Sequence, residues 1–327
     1  MRYSVLVTGA AGYLGGRVVG SLAARTDCEV RAGVRRHVAW LDPAAQVVVT
    51  PDGDIRDLVA ALCGVQSVIH LAAPNEVAMA SRPDESLADA LTGARRMAVA
   101  CRDAGVSRIV YASTIHVYGA AMAPGSLLTE DLLPAPRDHY ALSRLASEYA
   151  ISAFSSQVDV VVLRLTNIVG APADSAVSRW SLLANDLCRQ ACSNGILRLR
   201  TDGAQWRDFV AMADACRVIQ AAAGLVVGGL RPIPPGTYNA GSGRSMTVRA
   251  LAGLVQDRWE RRSGSRPALV APEAPVHVPP AWHASIARLG ALGFVPTPSL
   301  DTEIDETFDR CPDETTGRDA ERVTWAT

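Results

Sequence analysis

The stretch YSVLVTGAAGYLG at residues 3–15 decides the fold of this chain. Tyr3–Val7 is a continuous apolar run, which is typical of a strand buried on both faces of a sheet. Glycines follow at positions 9, 12 and 15, and an amphipathic helix opens directly after them. Glycine permits the tight turn and lets backbone N–H groups approach a pyrophosphate at the positive end of that helix. The stretch therefore predicts a dinucleotide-binding unit at the start of the chain.

Strands and helices alternate along the first half of the chain. Asp84–Ala104 carries apolar residues at the period of a helix, and Tyr140 lies on the next helix. The further strands that we predict are Glu29–Val34, Gln46–Thr50, Ser67–Ala73, Arg108–Ser113 and Val158–Leu165. This alternation predicts an α/β protein with a Rossmann-type, doubly wound parallel sheet and helices on both faces.

The pattern loosens after Asn167, where glycine and proline become frequent. We expect residues 1–167 to form the dinucleotide-binding domain, with about 207–243 returning to it. Residues 168–206 and 244–310 are then expected to form a smaller C-terminal α/β lobe that binds the substrate. Residues 311–327 are polar and unpatterned, which predicts a flexible tail.

The composition excludes several classes of protein. The 327 residues carry a formal net charge of −1 and no basic stripe, so we predict no nucleic-acid partner. The seven cysteines lack the spacing of metal ligands, so we predict no metal site. The longest apolar runs are too short to span a bilayer, and no signal peptide precedes the first strand, which favours a cytoplasmic protein without a membrane partner.

The end of the second strand bears on the choice of cofactor. NAD-binding sites usually place an acidic residue there to hold the ribose 2′-OH. In this chain the segment runs into Arg35 and Arg36 without an acid. Because a guanidinium suits a phosphate, the pair favours NADP, with NAD as the alternative, unless it is simply a solvated loop end. Asp54 and Ile55 follow the third strand, where we expect them to meet the adenine.

Tyr140 and Arg144 are the candidate catalytic pair. Residues four apart on a helix share one face, one turn apart. A cation in that place favours the phenolate form of the tyrosine, which a general acid/base needs. The usual cation in such a pair is lysine, but this chain contains no lysine at all. Arginine keeps the charge and the hydrogen bonds, but it is bulkier and cannot readily release a proton.

Taken in order, these segments resemble the extended short-chain dehydrogenase/reductases, specifically the NAD(P)-dependent sugar-nucleotide epimerase/dehydratase group. The resemblance runs from Thr8 to about residue 308. The matching segments are 8–15, 68–73, 111–114, 117–119, 140–144, 163–167, 206–210 and 238–243. The resemblance implies a Rossmann domain, a small substrate lobe and hydride transfer at a carbon of a sugar or sugar nucleotide. It also implies a homodimer built on two helices of each subunit, one of which carries Tyr140.

The resemblance also implies a role for individual residues. Tyr140 would be the general acid/base, and Thr114 would hydrogen-bond the substrate oxygen and share its proton. Arg144 would bind the nicotinamide ribose and tune Tyr140, while Asn167 and Arg207 match positions that hold the diphosphate of the substrate. The residues that would contact the cofactor in the loop and cleft are Gly9, Ala11, Gly12, Tyr13, Leu14, Gly15, Leu71, Ala72 and Ala73.

Two departures from the family pattern narrow the reaction. Ile115 and His116 stand where the 4,6-dehydratases of this group carry an Asp-Glu pair, which argues against a dehydratase. His116 is a candidate second acid/base near neutral pH, or a histidine packed beside a loop. The sequence thus predicts a keto-sugar reductase or a sugar epimerase, and it does not decide between them. Because lysine is missing at position 144, a non-catalytic dinucleotide-binding protein of the same fold is the alternative.

Overall fold

The computed structural model describes residues 2–48, 54–273, 277–297 and 299–311. The strands in these ranges are β1 (Tyr3–Thr8), β2 (Cys28–Val34), β3 (Gln46–Val48), β4 (Ser67–His70), β5 (Arg108–Thr114), β6 (Leu127–Leu128), β7 (Asp159–Leu165), β8 (Asn167–Val169), β9 (Ile196–Arg198), β10 (Trp206–Ala211), β11 (Gly236–Ala240), β12 (Ser245–Thr247), β13 (Ala268–Val270) and β14 (His283–Ala284). The α-helices are α1 (Tyr13–Ala23), α2 (Ile55–Ala61), α3 (Glu76–Ser81), α4 (Pro83–Asp103), α5 (His139–Ser152), α6 (Leu183–Asn194), α7 (Met212–Ala222), α8 (Val248–Ser263), α9 (Ala287–Gly290) and α10 (Asp301–Asp309). Pro43–Ala45 and Ile115–Ala121 are 3-10 helices.

A seven-stranded sheet in the order β3-β2-β1-β4-β5-β7-β11 forms the centre of the molecule. All its neighbouring strands run parallel. The strand order reverses between β1 and β4, where Thr8 pairs with both Gly33 and His70. In open α/β sheets, ligands bind in the crevice at the carboxyl ends of the strands beside such a reversal. The topology therefore places a binding crevice directly beyond Thr8.

Residues of β1 alternate between two hydrophobic layers, as a strand in the middle of a doubly wound sheet must. Val5 and Val7 pack in the layer with α1 and α7, whereas Leu6 packs in the layer with α2, α4 and α5. All three side chains are fully buried. A buried side chain of this kind contributes roughly 1.5–3 kcal/mol. The predicted α/β class and doubly wound parallel sheet are confirmed.

The chain after Asn167 builds a second, smaller core. Residues of α6, α8 and α10 pack in one hydrophobic cluster with those of β9 and β10. Short strands accompany it, because β8, β10 and β12 form one sheet and β9 pairs with β13. Between these pieces the chain returns to the central sheet, where β11 pairs with β7.

Several boundaries differ from the sequence prediction. Helix α4 begins one residue earlier than expected because Pro83, which has no N–H to satisfy, takes the first helical position. Helices α2 and α3 were not predicted. Each begins after an acceptor side chain, since Asp54 caps α2 and Asn75 caps α3. Val49 and Thr50 of the predicted third strand and residues 312–327 of the predicted tail lie outside the described residues. None of the helices that the structure describes has the length and apolar character to span a bilayer.

Candidate active site

The loop between β1 and α1 has no room for side chains at its glycines. Gly9 has a φ of +67°, and a Cβ there would lie 3.0 Å from the backbone N of Ala72. A Cβ on Gly15 would overlap the carbonyl oxygen of Gly9. Gly12 donates its N–H to that same oxygen over 2.9 Å and forms the N-cap of α1, whose first turn has no acidic residue. The loop therefore presents the free N–H groups of a helix start to the crevice, as a pyrophosphate site requires.

The side chains of the other predicted loop residues, Ala11, Tyr13 and Leu14, anchor the glycine loop to the protein. The Tyr13 hydroxyl donates to the carbonyl of Gly170 over 2.7 Å, and burial raises the pKa of that phenol. This bond ties the loop to the segment after β8. Ala11 and Leu14 pack partly buried against the same core layer as α1. The side chains of these three residues thus pack into the protein, so a cofactor would meet mainly their backbone.

The end of β4 closes the other side of the crevice. Ala72 donates its N–H to Thr8 Oγ1 over 3.2 Å, and Thr8 Oγ1 lies 2.8 Å from Nδ1 of His70. The segment that contains Leu71, Ala72 and Ala73 follows β4 and meets the loop at Gly9. These contacts bring the predicted cleft residues and the glycine loop together.

Arg35 and Arg36 lie exposed directly after β2, where the adenosine ribose of a dinucleotide is expected. Neither forms an ion pair within the described ranges, so both guanidinium groups are available to a phosphate. Asp54 differs from the prediction in one respect, because its carboxylate is already engaged. It accepts the N–H of Arg56 over 2.8 Å and the Nε–H of the same residue over 2.9 Å. Ile55 packs partly buried against the core layer of α2.

Helix α5 places Tyr140 and Arg144 against each other. Asp138 is the N-cap of the helix, and its carboxylate accepts the N–H of Ala141 over 2.7 Å. Cζ of Arg144 lies 5.0 Å from the centre of the Tyr140 ring, within the range of a cation–π contact. Nη2 of Arg144 also donates to the carbonyl of Pro74 over 3.3 Å. The pairing that the spacing predicted is present, and it also reaches the segment after β4.

Burial and the charge of Arg144 together set the electrostatics of the site. Burial lowers the pKa of this guanidinium, but the neighbouring phenols of Tyr140 and Tyr111 outweigh that effect and raise it. Burial and the Arg144 charge together lower the pKa of His70 to about 4. At neutral pH the site therefore holds a permanent cation beside a neutral histidine. The His70 side chain is buried.

Thr114 and His116 lie at the carboxyl end of β5. Thr114 is buried, and its Oγ1 accepts the N–H of His116 over 3.3 Å. Helix α5 packs against β5 and against the 3-10 helix that follows it, which brings Tyr140 and Thr114 to the same end of the sheet. Burial and the charge of Arg207 lower the pKa of His116, while Asp138 opposes them. His116 is therefore neutral at neutral pH and able to accept a proton.

Asn167 and Arg207 lie on the paired strands β8 and β10. Asn167 Nδ2 donates to the backbone carbonyl of Asp208 over 3.0 Å, and Arg207 Nη1 donates to the carbonyl of Trp206 over the same distance. Burial lowers the pKa of Arg207, and no carboxylate pairs with it in the described part of the chain. A partly buried guanidinium without a carboxylate is suited to an anionic ligand.

Asp208, which follows Arg207 on β10 and whose backbone carbonyl binds Asn167, was not predicted from the sequence. Its side chain is fully buried, and burial raises its pKa. Oδ1 accepts from the Thr166 hydroxyl over 3.0 Å and from the backbone N–H of Ser242 over 2.8 Å. An acidic residue directly before the apolar run Phe209–Val210 was the signal that could have identified it.

A buried network beneath Thr114 was also missed. Glu148 accepts the hydroxyl of Ser113 and two bonds from Arg164, of 2.8 Å to Nη2 and 3.2 Å to Nε. Arg164 Nη1 reaches the Tyr118 hydroxyl over 3.0 Å, and that hydroxyl donates to Asn239 Oδ1 over 2.9 Å. The network connects α5 to β5, β7 and β11. The arginine within the apolar run of β7 was the available signal.

Comparison with known proteins identifies the family. Residues 5–241 match the model of the NAD dependent epimerase/dehydratase family. The chain belongs to this family. It is 28% identical over 304 residues to a UDP-glucose 4-epimerase of Azospirillum brasilense, covering 82% of this chain and 83% of the relative.

Two further relatives show the breadth of the family. A dTDP-6-deoxy-L-talose 4-dehydrogenase (NAD(P)(+)) of Kitasatospora kifunensis is 30% identical over 261 residues, which are 77% of each chain. Among solved structures, MoeE5 in complex with UDP-glucose and NAD is 26% identical, with a TM-score of 0.74 over 94% of this chain and 98% of that chain. The resemblance inferred from the sequence motifs is thus confirmed at the level of the family.

Proposed function

We propose that this protein is an NAD(P)-dependent epimerase of a nucleotide-activated sugar, with Tyr140 as its general acid/base. The observation that carries the proposal is the buried Arg144 guanidinium, which lies 5.0 Å from the centre of the Tyr140 ring. A fixed cation in this place would stabilise the negative charge that develops on the Tyr140 oxygen while it exchanges a proton with a substrate hydroxyl. The family and the epimerase among its relatives support the same reaction.

The chain's own residues fit the parts of this reaction. Bound NAD(P) supplies the acceptor and later the donor of hydride. Gly9 and Gly15 let the loop close tightly on itself and on Ala72, because a Cβ at either position would crowd the backbone. The backbone N–H groups at the start of α1 are then placed to hold the pyrophosphate. Tyr140 takes the hydroxyl proton as the carbon loses hydride, and it returns the proton when hydride comes back to the other face of the carbon. Thr114 would hydrogen-bond the same substrate oxygen and share its proton.

Arg207 and Asn167 are our candidates for the diphosphate of the substrate. Arg207 is partly buried and pairs with no carboxylate among the described residues. An anionic ligand would therefore supply the counter-charge for its guanidinium. His116 lies near Arg207 and is neutral, which makes it the candidate second acid/base. Because positions 115 and 116 hold no carboxylates, we do not propose a 4,6-dehydratase.

We infer a preference for NADP from the exposed Arg35 and Arg36, with NAD as the alternative. The relatives include both kinds of dependence, since MoeE5 was solved with NAD and the Kitasatospora kifunensis enzyme is named for NAD(P)(+). Because of the similarity to that dehydrogenase, reduction of a keto-sugar is the second candidate reaction for this chain. We further propose a homodimer through α4 and α5, which pack together and expose Leu91 and Leu142 to solvent.

Tyr140→Phe tests the proposed function. The variant keeps the ring and removes the hydroxyl, so turnover should fall by about 10²–10⁴-fold with little change in dinucleotide affinity. Turnover is measured with a panel of UDP- and dTDP-sugars by chromatography of the epimers, and with keto-sugars by NAD(P)H oxidation. Tyr3→Phe is the matched control, because Tyr3 lies at the start of β1, at the end of the sheet opposite the crevice, and should tolerate the change.

The outcomes separate the candidates. Epimer formation without net NAD(P)H consumption supports the epimerase, whereas stoichiometric NAD(P)H oxidation supports the reductase. A protein that binds dinucleotide but converts no sugar would be the non-catalytic alternative that the loss of lysine suggests. Full activity in Tyr140→Phe would move the acid/base role elsewhere, with His116 as the first residue to test.

A further inference from the structure

Arg144 has more hydrogen-bond donors than partners. The residue is only 8% exposed, yet Nε is buried and makes no hydrogen bond within the part of the chain described. Nη2 reaches the carbonyl of Pro74 over 3.3 Å, and the ring of Tyr140 covers one side of the group. A guanidinium is a planar fork whose donors point in fixed directions, so its position depends on the partners around its edge.

Tyr111 is a second phenol beside this guanidinium. It lies on β5 three residues before Thr114 and is 1% exposed, and its hydroxyl likewise makes no hydrogen bond within the ranges described. The Tyr111 ring stacks on His70 with ring centres 6.0 Å apart, which fixes the phenol from behind. Burial raises the pKa of Tyr111, and the charge of Arg144 opposes that rise.

We propose that Tyr111 is a positioning residue that holds the Arg144 guanidinium against Tyr140. The proposal rests on the proposed function, since it concerns how the acid/base pair is set. The Tyr111 oxygen and Arg144 Nε are both buried and make no hydrogen bond among the described residues. They lie on β5 and α5, which pack against each other, so each is an available partner for the other. The Pro74 carbonyl on one side and the Tyr111 hydroxyl on the other would then fix the Arg144 guanidinium, with one of its faces against the Tyr140 ring.

The donors and acceptors in the pocket allow this arrangement. The single proton of the Ser147 hydroxyl is within reach of the carbonyls of Ala90 and Ser143, at 3.2 Å and 2.9 Å from its oxygen, and that oxygen remains able to accept. Ser147 also lies beside the Tyr111 hydroxyl. Tyr111 can therefore donate its proton to Ser147 and accept an N–H of Arg144 at the same time. A lysine ammonium is a compact charge on a flexible stem, and it does not need a partner at this edge.

A cycle of four proteins tests the proposal: wild type, Tyr111→Phe, Arg144→Lys and the double variant. In the arginine background, Tyr111→Phe should lower kcat by roughly tenfold while KM stays within about twofold, because a lost hydrogen bond to a charged group is worth about that factor. In the lysine background the same change should cost less than about threefold. Tyr3→Phe is the control, since Tyr3 also lies beside an arginine, Arg108, but at the opposite end of the sheet.

Each result of the cycle decides the question. An equal loss from Tyr111→Phe in both backgrounds would show that the hydroxyl acts independently of Arg144, and no loss in the arginine background would overturn the proposal outright. NADH and NADPH affinities of the four proteins, measured by fluorescence titration, give a second cycle. These affinities can be measured even if the wild type converts none of the sugars. Failure of the proposed function can therefore be distinguished from a result in which the effects of the two substitutions simply add. Thermal melting confirms that all variants fold.

Discussion

Glu148→Gln tests the ion pair that holds the helix of Tyr140 on the central sheet. Glu148 and Arg164 meet at 2.8 Å, and each side chain is about 7% exposed. Glutamine keeps the size of the side chain and one acceptor oxygen, but it leaves the guanidinium buried without its counter-charge. Breaking a buried pair in this way costs about 3–5 kcal/mol, because the remaining charge has lost water without gaining a partner. We expect the free energy of unfolding to fall by that amount.

The control is an ion pair with the same N···O distance in an exposed environment. Glu260 and Arg266 also meet at 2.8 Å, but their side chains are 47% and 45% exposed. Surface pairs of this kind contribute only about 0–1 kcal/mol, so Glu260→Gln should change stability little. Urea unfolding followed by circular dichroism at neutral pH measures both variants. A double change, Glu148→Leu with Arg164→Met, removes both charges and should recover much of the lost stability.

Two outcomes of these stability measurements would refute the role given to the buried ion pair. If Glu148→Gln and Glu260→Gln lower stability equally, burial does not set the value of these pairs. If the double variant is as unstable as Glu148→Gln, the loss comes from packing or from the Ser113 and Tyr118 bonds rather than from an unpaired charge.

Three further predictions follow from the site. Arg35→Ala should weaken NADPH by roughly ten- to hundredfold and leave NADH nearly unchanged, as lost phosphate contacts would; wild-type titrations with NADH bound as tightly as NADPH would contradict it. Arg144→Met should lower turnover and weaken the dinucleotide, while Arg144→Lys should keep much of the activity; unchanged turnover in the Met variant would remove the proposed role of the cation. The unfolded chain protonates His70 near pH 6.5, but the folded chain does so only at about 4. The free energy of unfolding should therefore fall by roughly 3 kcal/mol as the pH drops between those values, and His70→Gln should flatten this dependence in pH-jump melts.

Local patterns in the sequence predicted the parts of this protein that are themselves local. The strand, glycine loop and helix of residues 3–15 are contiguous, so their arrangement follows from neighbouring residues. The contact between Tyr140 and Arg144 follows from one helical turn. These features were found because the geometry of a single element or turn determines them.

The supporting contacts could not be found in the same way. Glu148 meets Arg164 because α5 packs across β5 and β7, and Asp208 meets Thr166 and Ser242 because three separate segments converge. Such contacts depend on strand order and packing, which no local spacing encodes. The capping role of Asp54 was missed for a different reason, since the same carboxylate suits either an adenine contact or a helix start.

Arginine at position 144 bears on the choice between epimerase and reductase. A reductase takes up one proton from solvent in every turnover, because the keto oxygen becomes a hydroxyl, and Tyr140 must be reprotonated each time. Arg144 is a poor link in such a path since a guanidinium does not readily release a proton. An epimerase has no such need, because Tyr140 returns to the substrate the proton that it took. The charge of Arg144 alone then suffices, and the buried, phenol-flanked guanidinium of this chain supplies it. A lysine-free site is thus better matched to a closed proton cycle, and Arg144→Lys should accelerate a reductase but leave an epimerase no faster.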